Sequence, residues 1–142
     1  MVAVIAVLLV SSIAYAQEPV AGADHIGDDF FPLVGNGGYD ALHYTLDLSV
    51  DMEQQMLAGT VTMRALAMQS LRTFNLDMMG FEVAQVVVND KAVDWDRTDH
   101  ELIVIPLEPL TADEEFTVMV EYSGDPVGVN ASGIEGLTGW SW

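Results

Sequence analysis

His100 stands in the context that most resembles a catalytic motif. The run His100-Glu101-Leu102-Ile103-Val104 begins like His-Glu-x-x-His, in which a helix places two imidazoles one turn apart on a zinc ion. Position 104 is valine, and the apolar, β-branched residues that follow Glu101 favour a strand. We therefore reject a metal site here, and we expect His25 and His43 to be solvated side chains or hydrogen-bonded neighbours and not ligands.

Other catalytic patterns are missing from the sequence. The serines lack a Gly-x-Ser-x-Gly elbow, and no glycine-rich phosphate loop with a lysine occurs. Gly35-Asn36-Gly37-Gly38 precedes a strand instead of opening a helix, so we interpret it as a flexible turn. The acid pairs at 28–29 and 114–115 fall in expected loops. The sequence thus predicts no catalytic, cofactor-binding or metal-binding residue.

Tryptophans offer the main binding alternative. Trp95, Trp140 and Trp142 could form an aromatic platform for sugars, although Trp95 alternates with Val93 and is more simply a sheet or interface residue. Asn130-Ala131-Ser132 fits a glycosylation sequon, a pattern short enough to arise by chance.

The elements that would position these residues are strands. From Tyr39, five apolar residues alternate with polar ones over about ten positions, which predicts the clearest strand. A second alternating run, from Thr60 to Ala67, is expected to pair with it as an antiparallel hairpin. The apolar members of the first strand are Leu42, Tyr44, Leu46, Leu48 and Val50.

Further short strands follow along the chain. Phe74, Leu76 and Met78 keep the period of two, and the change of phase within 81–88 predicts a bulge near Ala84-Gln85. Asn89-Asp90-Lys91 predicts a hairpin turn between 86–88 and 93–95. Strands are also expected at 102–105 and 116–122. No apolar stripe of helical spacing appears, so we predict an all-β, antiparallel sandwich or saddle-like domain that is truncated.

Composition excludes several classes of protein. The 142 residues carry a formal net charge of -18, with only four lysines and arginines, and such a surface repels nucleic acid. Cysteine is absent, which excludes a small disulfide-stapled scaffold. The scattered acids are typical of a solubility feature, although cations or cationic peptides could be drawn to them.

The beginning of the chain predicts export. Residues 2–13 are almost entirely apolar, and Ala14-Tyr15-Ala16 supplies small residues where a signal peptidase reads, so we expect cleavage before Gln17. A membrane anchor is the alternative, whereas the mature part contains no run long enough to span a bilayer. The expected organisation is a signal peptide at 1–16, an extended arm at 17–38, a β-rich domain at 39–126 and a truncated connection at 127–142. The predicted location is periplasmic, secreted or cell-surface.

The order of these pieces carries a family resemblance. Residues 35–48, GNGGYDALHYTLDL, followed by Leu57-Ala58-Gly59-Thr60-Val61-Thr62, resemble the opening of the N-terminal domain of aminopeptidase N-type zinc metallopeptidases, a gluzincin family. The later runs 74–77, 83–89, 100–104 and 116–126 resemble that domain's successive strands. The resemblance covers about residues 35–126.

The resemblance implies a non-catalytic domain that packs on a downstream catalytic domain of the same polypeptide and helps to close its cleft. The family's Gly-x-Met-Glu-Asn loop and zinc helix would lie beyond Trp142, so no functional residue is carried over and the fragment alone should be inactive. Zinc and peptide substrates are expected only for the full-length parent, and no cofactor for the fragment. The rival interpretation is a free-standing β-sandwich module that binds glycans or a partner protein.

Overall fold

Strands account for all the regular structure in the described part of the chain. The computed structural model describes residues 18–29, 35–98 and 100–126. Within these ranges there is no helix, and none therefore that could cross a membrane. The all-β prediction is confirmed. The strands are β1 (Val20–Ala21), β2 (Tyr39–Asp51), β3 (Met56–Ala67), β4 (Leu71–Asp77), β5 (Glu82–Val88), β6 (Lys91–Ala92), β7 (Asp94–Arg97), β8 (Glu101–Ile105) and β9 (Glu115–Gly124).

The strands form two open sheets that share one core. The larger sheet has the order β2-β3-β9-β5-β6 and the smaller the order β1-β4-β8-β7. Every pairing is antiparallel except that of β1 with β4, which is parallel. Buried residues of both sheets pack together, as a sandwich requires.

The first hairpin is as predicted. Strands β2 and β3 pair over their whole length, from Tyr39 opposite Ala67 to Asp51 opposite Met56. The turn begins where the Asp51 carboxylate accepts hydrogen bonds from the backbone N–H groups of Glu53 and Gln54, each at 2.9 Å. An aspartate in this position closes a turn locally, which fixes the register of the long strands.

The second half of the larger sheet confirms the predicted bulge and corrects one pairing. The register of β5 against β9 shifts between Val83 and Gln85. Asn89 and Asp90, with φ of 47° and 63°, form the expected tight turn after β5. The return strand, however, is only the two-residue β6. The segment containing Trp95 was predicted to pair with 86–88, but it crosses to the smaller sheet as β7, opposite β8.

The core lies between the two sheets and is aromatic at one end. Phe74 of β4 and Phe116 of β9 lie with ring centroids 5.1 Å apart, and Tyr39 meets both rings edge-on. The same core cluster contains Leu102 and Val104 of β8 and Val118 and Val120 of β9, and these four side chains are fully or almost fully buried. Sandwich stability therefore depends on contacts between residues far apart in sequence.

The predicted arm contributes a strand to the smaller sheet. Val20 pairs with Leu71, and the Gly22 N–H donates to the carbonyl of Thr73 at 2.9 Å. The arm returns through Gly38, whose φ of +104° and whose Cβ position, 2.9 Å from the Leu71 Cδ2, both require glycine. The glycine-rich turn before β2 is thus built into the fold.

Two leucines that differ in burial provide a matched pair of substitutions. Leu102 is 0% exposed, whereas Leu107 is 62% exposed. Leu102→Ala should lower the free energy of unfolding by about 2–5 kcal/mol because it leaves a cavity between the sheets. Leu107→Ala should change it by no more than about 0.5 kcal/mol. Urea unfolding of both variants measures the difference, and equal effects would contradict the assigned core.

Candidate functional site

A cavity of about 400 Å³ opens beside the core, next to the end of β4. Its floor is the face of the larger sheet that carries Tyr44, Val61 and Met63, and its wall on the arm side is formed by Ile26, Gly35 and Asn36. Asp77 also contributes to the lining, among side chains that are otherwise mainly apolar. The cavity thus combines an apolar floor with a carboxylate.

Tyr39 closes the cavity toward the aromatic core. Its hydroxyl donates to the carbonyl oxygen of Asn75 at 2.9 Å. Burial, together with the negative charges of nearby acids, raises the pKa of the Tyr39 phenol well above its usual value, so the group remains a neutral donor. Tyr39 therefore links β2 to β4 and is not poised as a base.

Asp77 fastens the glycine-rich turn to the end of β4. Its Oδ2 accepts a hydrogen bond from the Gly35 N–H at 2.9 Å, and its Oδ1 accepts one from the Asn36 Nδ2 at 3.1 Å. Gly35 takes a φ of +87°, and a Cβ there would lie 3.0 Å from the Ile26 Cδ1. The turn predicted to be flexible is therefore anchored by a side-chain carboxylate.

Glu101 lies opposite Asp77 and is the unusual acid of this region. It begins β8 in direct register with Asp77, is 6% exposed, and has an Oε2 that makes no hydrogen bond. Burial, and then the charge of Asp77, raise the pKa of the Glu101 carboxyl to about 7. A hydrogen bond with Asp77 and the charge of Asp24 act in the same direction, whereas a hydrogen bond with Asn36 opposes them.

Two arginines form defined interactions with groups other than the acids at the cavity. Arg97 donates to the carbonyl of Met78 at 3.0 Å and to that of Phe81, which secures the loop between β4 and β5. Arg64 pairs with Glu115 at 2.8 Å on the far side of β3 and β9. Neither arginine offsets the acids at the cavity.

The larger sheet exposes part of its apolar face. Tyr44 lies opposite Met63, Leu46 opposite Val61, Leu48 opposite Gly59 and Val50 opposite Leu57, so all four β2 residues share the face that β3 turns to the core. They are nevertheless 43% to 58% exposed. We call these four residues the β2 stripe. Among the partly buried apolar residues that pack against the core cluster, β2 contributes Tyr39.

The three histidines lie in different parts of the structure. His43 is exposed on β2, and His25 is exposed in the arm, 3.9 Å from Asp24. His100 precedes β8, and because a strand rises about 3.3 Å per residue, positions 100 and 104 lie about 13 Å apart. Across the ranges that the structure describes, no three His, Asp or Glu side chains are grouped to hold a metal.

Other sequence hypotheses meet the structure only in part. Trp95 is half-buried and packs against the core cluster, in agreement with its interpretation as a sheet residue. Trp140, Trp142, the Asn130 sequon and the expected cleavage site before Gln17 lie outside the described residues.

The acidic pair was missed from the sequence. In the sequence, Glu101 stands in the incomplete zinc motif that begins at His100, and Asp77 is one of many scattered acids. The available signal was that Glu101 opens an otherwise apolar strand, where a carboxylate is expected to be partly buried.

Comparison with known proteins identifies the sandwich. Neither a family model nor a curated protein matches the chain. Among solved structures, an M1 zinc metallopeptidase from Deinococcus radiodurans is 31% identical over 72% of this chain and 24% of its own, with a TM-score of 0.65. A mutant M1 zinc metallopeptidase from the same organism, bound to a Tyr-Ser-Ala substrate, is 30% identical over 75% of this chain and 25% of its own, with a TM-score of 0.67.

A more distant structure agrees in fold alone. Native leukotriene A4 hydrolase from yeast is 22% identical over 61% of this chain and 14% of its own, with a TM-score of 0.51. The chain spans about a quarter of the length of the more similar structures. The resemblance inferred from the strand order is thereby confirmed, and the chain is a relative of the M1 zinc metallopeptidases.

Proposed function

We propose that this chain is the N-terminal, non-catalytic portion of an exported zinc aminopeptidase. The observation that carries the proposal is the match itself, since three quarters of this chain aligns at about 30% identity with only a quarter of an M1 zinc metallopeptidase. In the complete protein, zinc-dependent hydrolysis of N-terminal peptide bonds would belong to residues downstream.

The described residues do not fit a zinc site. Val104 stands where the second imidazole of His-Glu-x-x-His would be needed, and the strand geometry of β8 keeps that position far from His100. Glu101 is buried and Asp77 is exposed, and among the described residues the two carboxyls belong to no group of three side chains that could hold a metal ion. We assign this part of the chain a structural role, with no step of the hydrolysis.

A catalytic assay tests the non-catalytic role. The purified 142-residue chain, supplied with zinc, should release no amino acid from aminoacyl reporter substrates above the rate of a buffer control. A mock purification from the same host provides the control for contaminating peptidases. Hydrolysis that follows the chain through purification and is abolished by a chelator would overturn the proposal.

The β2 stripe is the surface that we assign to the rest of the polypeptide. An apolar face that continues a core without a covering layer is typical of an interface with another structural unit. Strand β2 is also an edge of the larger sheet, with its outer backbone groups unpaired within that sheet. Burial of the stripe by the catalytic portion would link this domain to the one that binds peptide.

Polar substitutions in the β2 stripe test whether it is an interaction surface or a part of the core. The double variant Leu46→Thr and Val50→Thr should reduce binding of an apolar fluorescent dye and self-association of the chain, because the two side chains are 58% and 43% exposed. Its free energy of unfolding should change by no more than about 1 kcal/mol.

Thr45→Ser, on the opposite face of β2, is the matched control and should leave dye binding unchanged. If the double variant binds the dye and sediments as the unsubstituted chain does, the stripe is not a surface for apolar binding or self-association. A loss of stability as large as that of Leu102→Ala would show that it is already part of the core.

Export is proposed from the apolar residues 2–13 and the Ala14-Tyr15-Ala16 sequence. Residues 1–25 fused to a reporter enzyme should carry it out of the cytoplasm of a bacterial host, with a mature product that begins at Gln17. Ala16→Phe should block processing, whereas Ala3→Phe should not, because position 16 belongs to the Ala-x-Ala cleavage site and position 3 does not. N-terminal sequencing decides the matter, and a cytoplasmic reporter that retains Met1 would contradict export.

A further inference from the structure

Two carboxyl groups face each other across the smaller sheet. Asp77 ends β4 and Glu101 begins β8, and the antiparallel register places them directly opposite. Like charges in directly opposed positions repel and destabilise a pair of strands. Glu101 is moreover only 6% exposed and its Oε2 makes no hydrogen bond, so an ionised Glu101 would be a poorly solvated charge opposite a second carboxylate.

Among the described residues, the groups that act on the charge of Glu101 include no lysine or arginine. From the arm, Asp24 adds a further negative charge and Asn36 offers a neutral amide. From β2, Tyr39 faces the pair as a neutral phenol, and Tyr44 faces Asp77. On the side of β8, His100 has an Nδ1 that is buried without a hydrogen-bond partner. Arg64 and Arg97 are engaged with Glu115 and with backbone carbonyls.

The pair is connected to one wall of the cavity. The Asp77 carboxylate, on the residue directly opposite Glu101, accepts the hydrogen bonds of the Gly35 N–H and the Asn36 Nδ2. Gly35 and Asn36 line the cavity together with Ile26, whose side chain packs against Gly35. Any change in the charge of the pair therefore acts on the turn that forms this wall.

We propose that Asp77 and Glu101 share a single proton that holds the Gly35–Asn36 turn against the end of the smaller sheet, and that loss of this proton loosens the turn and the cavity wall beside it. The proton resides on Glu101, the more buried partner, which donates to Asp77. Asp77 accepts the hydrogen bonds of the turn. The device is a proton-dependent contact within this domain, and it does not require the proposed peptidase role.

The direction of the pH effect follows from the raised pKa. Burial and the charge of Asp77 raise the pKa of Glu101 from 4.5 to about 7 in the folded chain. Between these two values the folded state binds more protons than the unfolded state, so the free energy of unfolding falls as the pH rises from about 4.5 to about 7. Above about 7 this contribution is constant, and the turn is held more weakly than at pH 5.

Nuclear magnetic resonance of the whole 142-residue chain tests the proposal. The ¹³C signal of the Glu101 carboxyl, the Gly35 N–H and the Asn36 side-chain amide should titrate together, with a common midpoint near 7. Hydrogen exchange of the Gly35 N–H, corrected for its intrinsic pH dependence, should accelerate roughly tenfold or more between about pH 6 and about pH 8.

Two variants distinguish the shared proton from general effects of pH. Glu101→Gln keeps a hydrogen-bond donor toward Asp77 without a titrating group, so the Gly35 and Asn36 signals should become flat across this range. Asp77→Asn removes the opposing charge, so the midpoint of Glu101 should fall by roughly one unit or more. Glu108→Gln removes an exposed carboxylate from the loop after β8 and should leave the midpoint unchanged.

Three results would overturn the proposal. They are a Glu101 carboxyl that titrates near its ordinary value of 4.5, Gly35 and Asn36 signals that do not follow Glu101, or an unchanged Glu101 midpoint in Asp77→Asn. Because the two variants act in different ways, failure of one to fold still leaves the other decisive. Peptidase activity enters none of these measurements, so they are independent of the proposed function.

Discussion

Burial of one face of the larger sheet is the constraint on which the rest of the structure depends. The sandwich has no cysteine to staple it and no helix among its described residues, so the packing of β3, β9 and β5 against β4 and β8 holds it together. The smaller sheet is too narrow to cover the whole face. Among the described residues, the β2 stripe is the part of this face that remains exposed.

Charge and burial conflict at the edge of the same core. Most of the acids lie on the surface, where water solvates them, whereas Glu101 enters the structure as the first residue of β8. Its position opposite Asp77 would be costly for two charges, and a shared proton removes one of them. Through the proposed shared proton, the protonation of Glu101 affects the arm, the turn before β2 and the cavity wall.

Period-two patterns made most of the fold predictable. The β2–β3 hairpin, the bulge at Val83–Gln85 and the Asn89–Asp90 turn each follow from local residue preferences. The sheet that a short strand joins depends on distant partners, which explains why β7 was assigned to the wrong neighbour. Likewise, the alternation in β2 indicates an apolar face but not whether another layer covers it, and the contact between Asp77 and Glu101 links positions with no recognisable spacing.

The nucleotide sequence of the source gene, read in frame through the codon for Trp142 and onward, tests the central claim most directly. A chain that forms the first part of a zinc metallopeptidase predicts, by the family resemblance, a Gly-x-Met-Glu-Asn sequence followed by His-Glu-x-x-His in the same frame. A stop codon immediately after Trp142, confirmed in the transcript, would contradict it and would favour an independent β-sandwich module whose exposed stripe serves another partner.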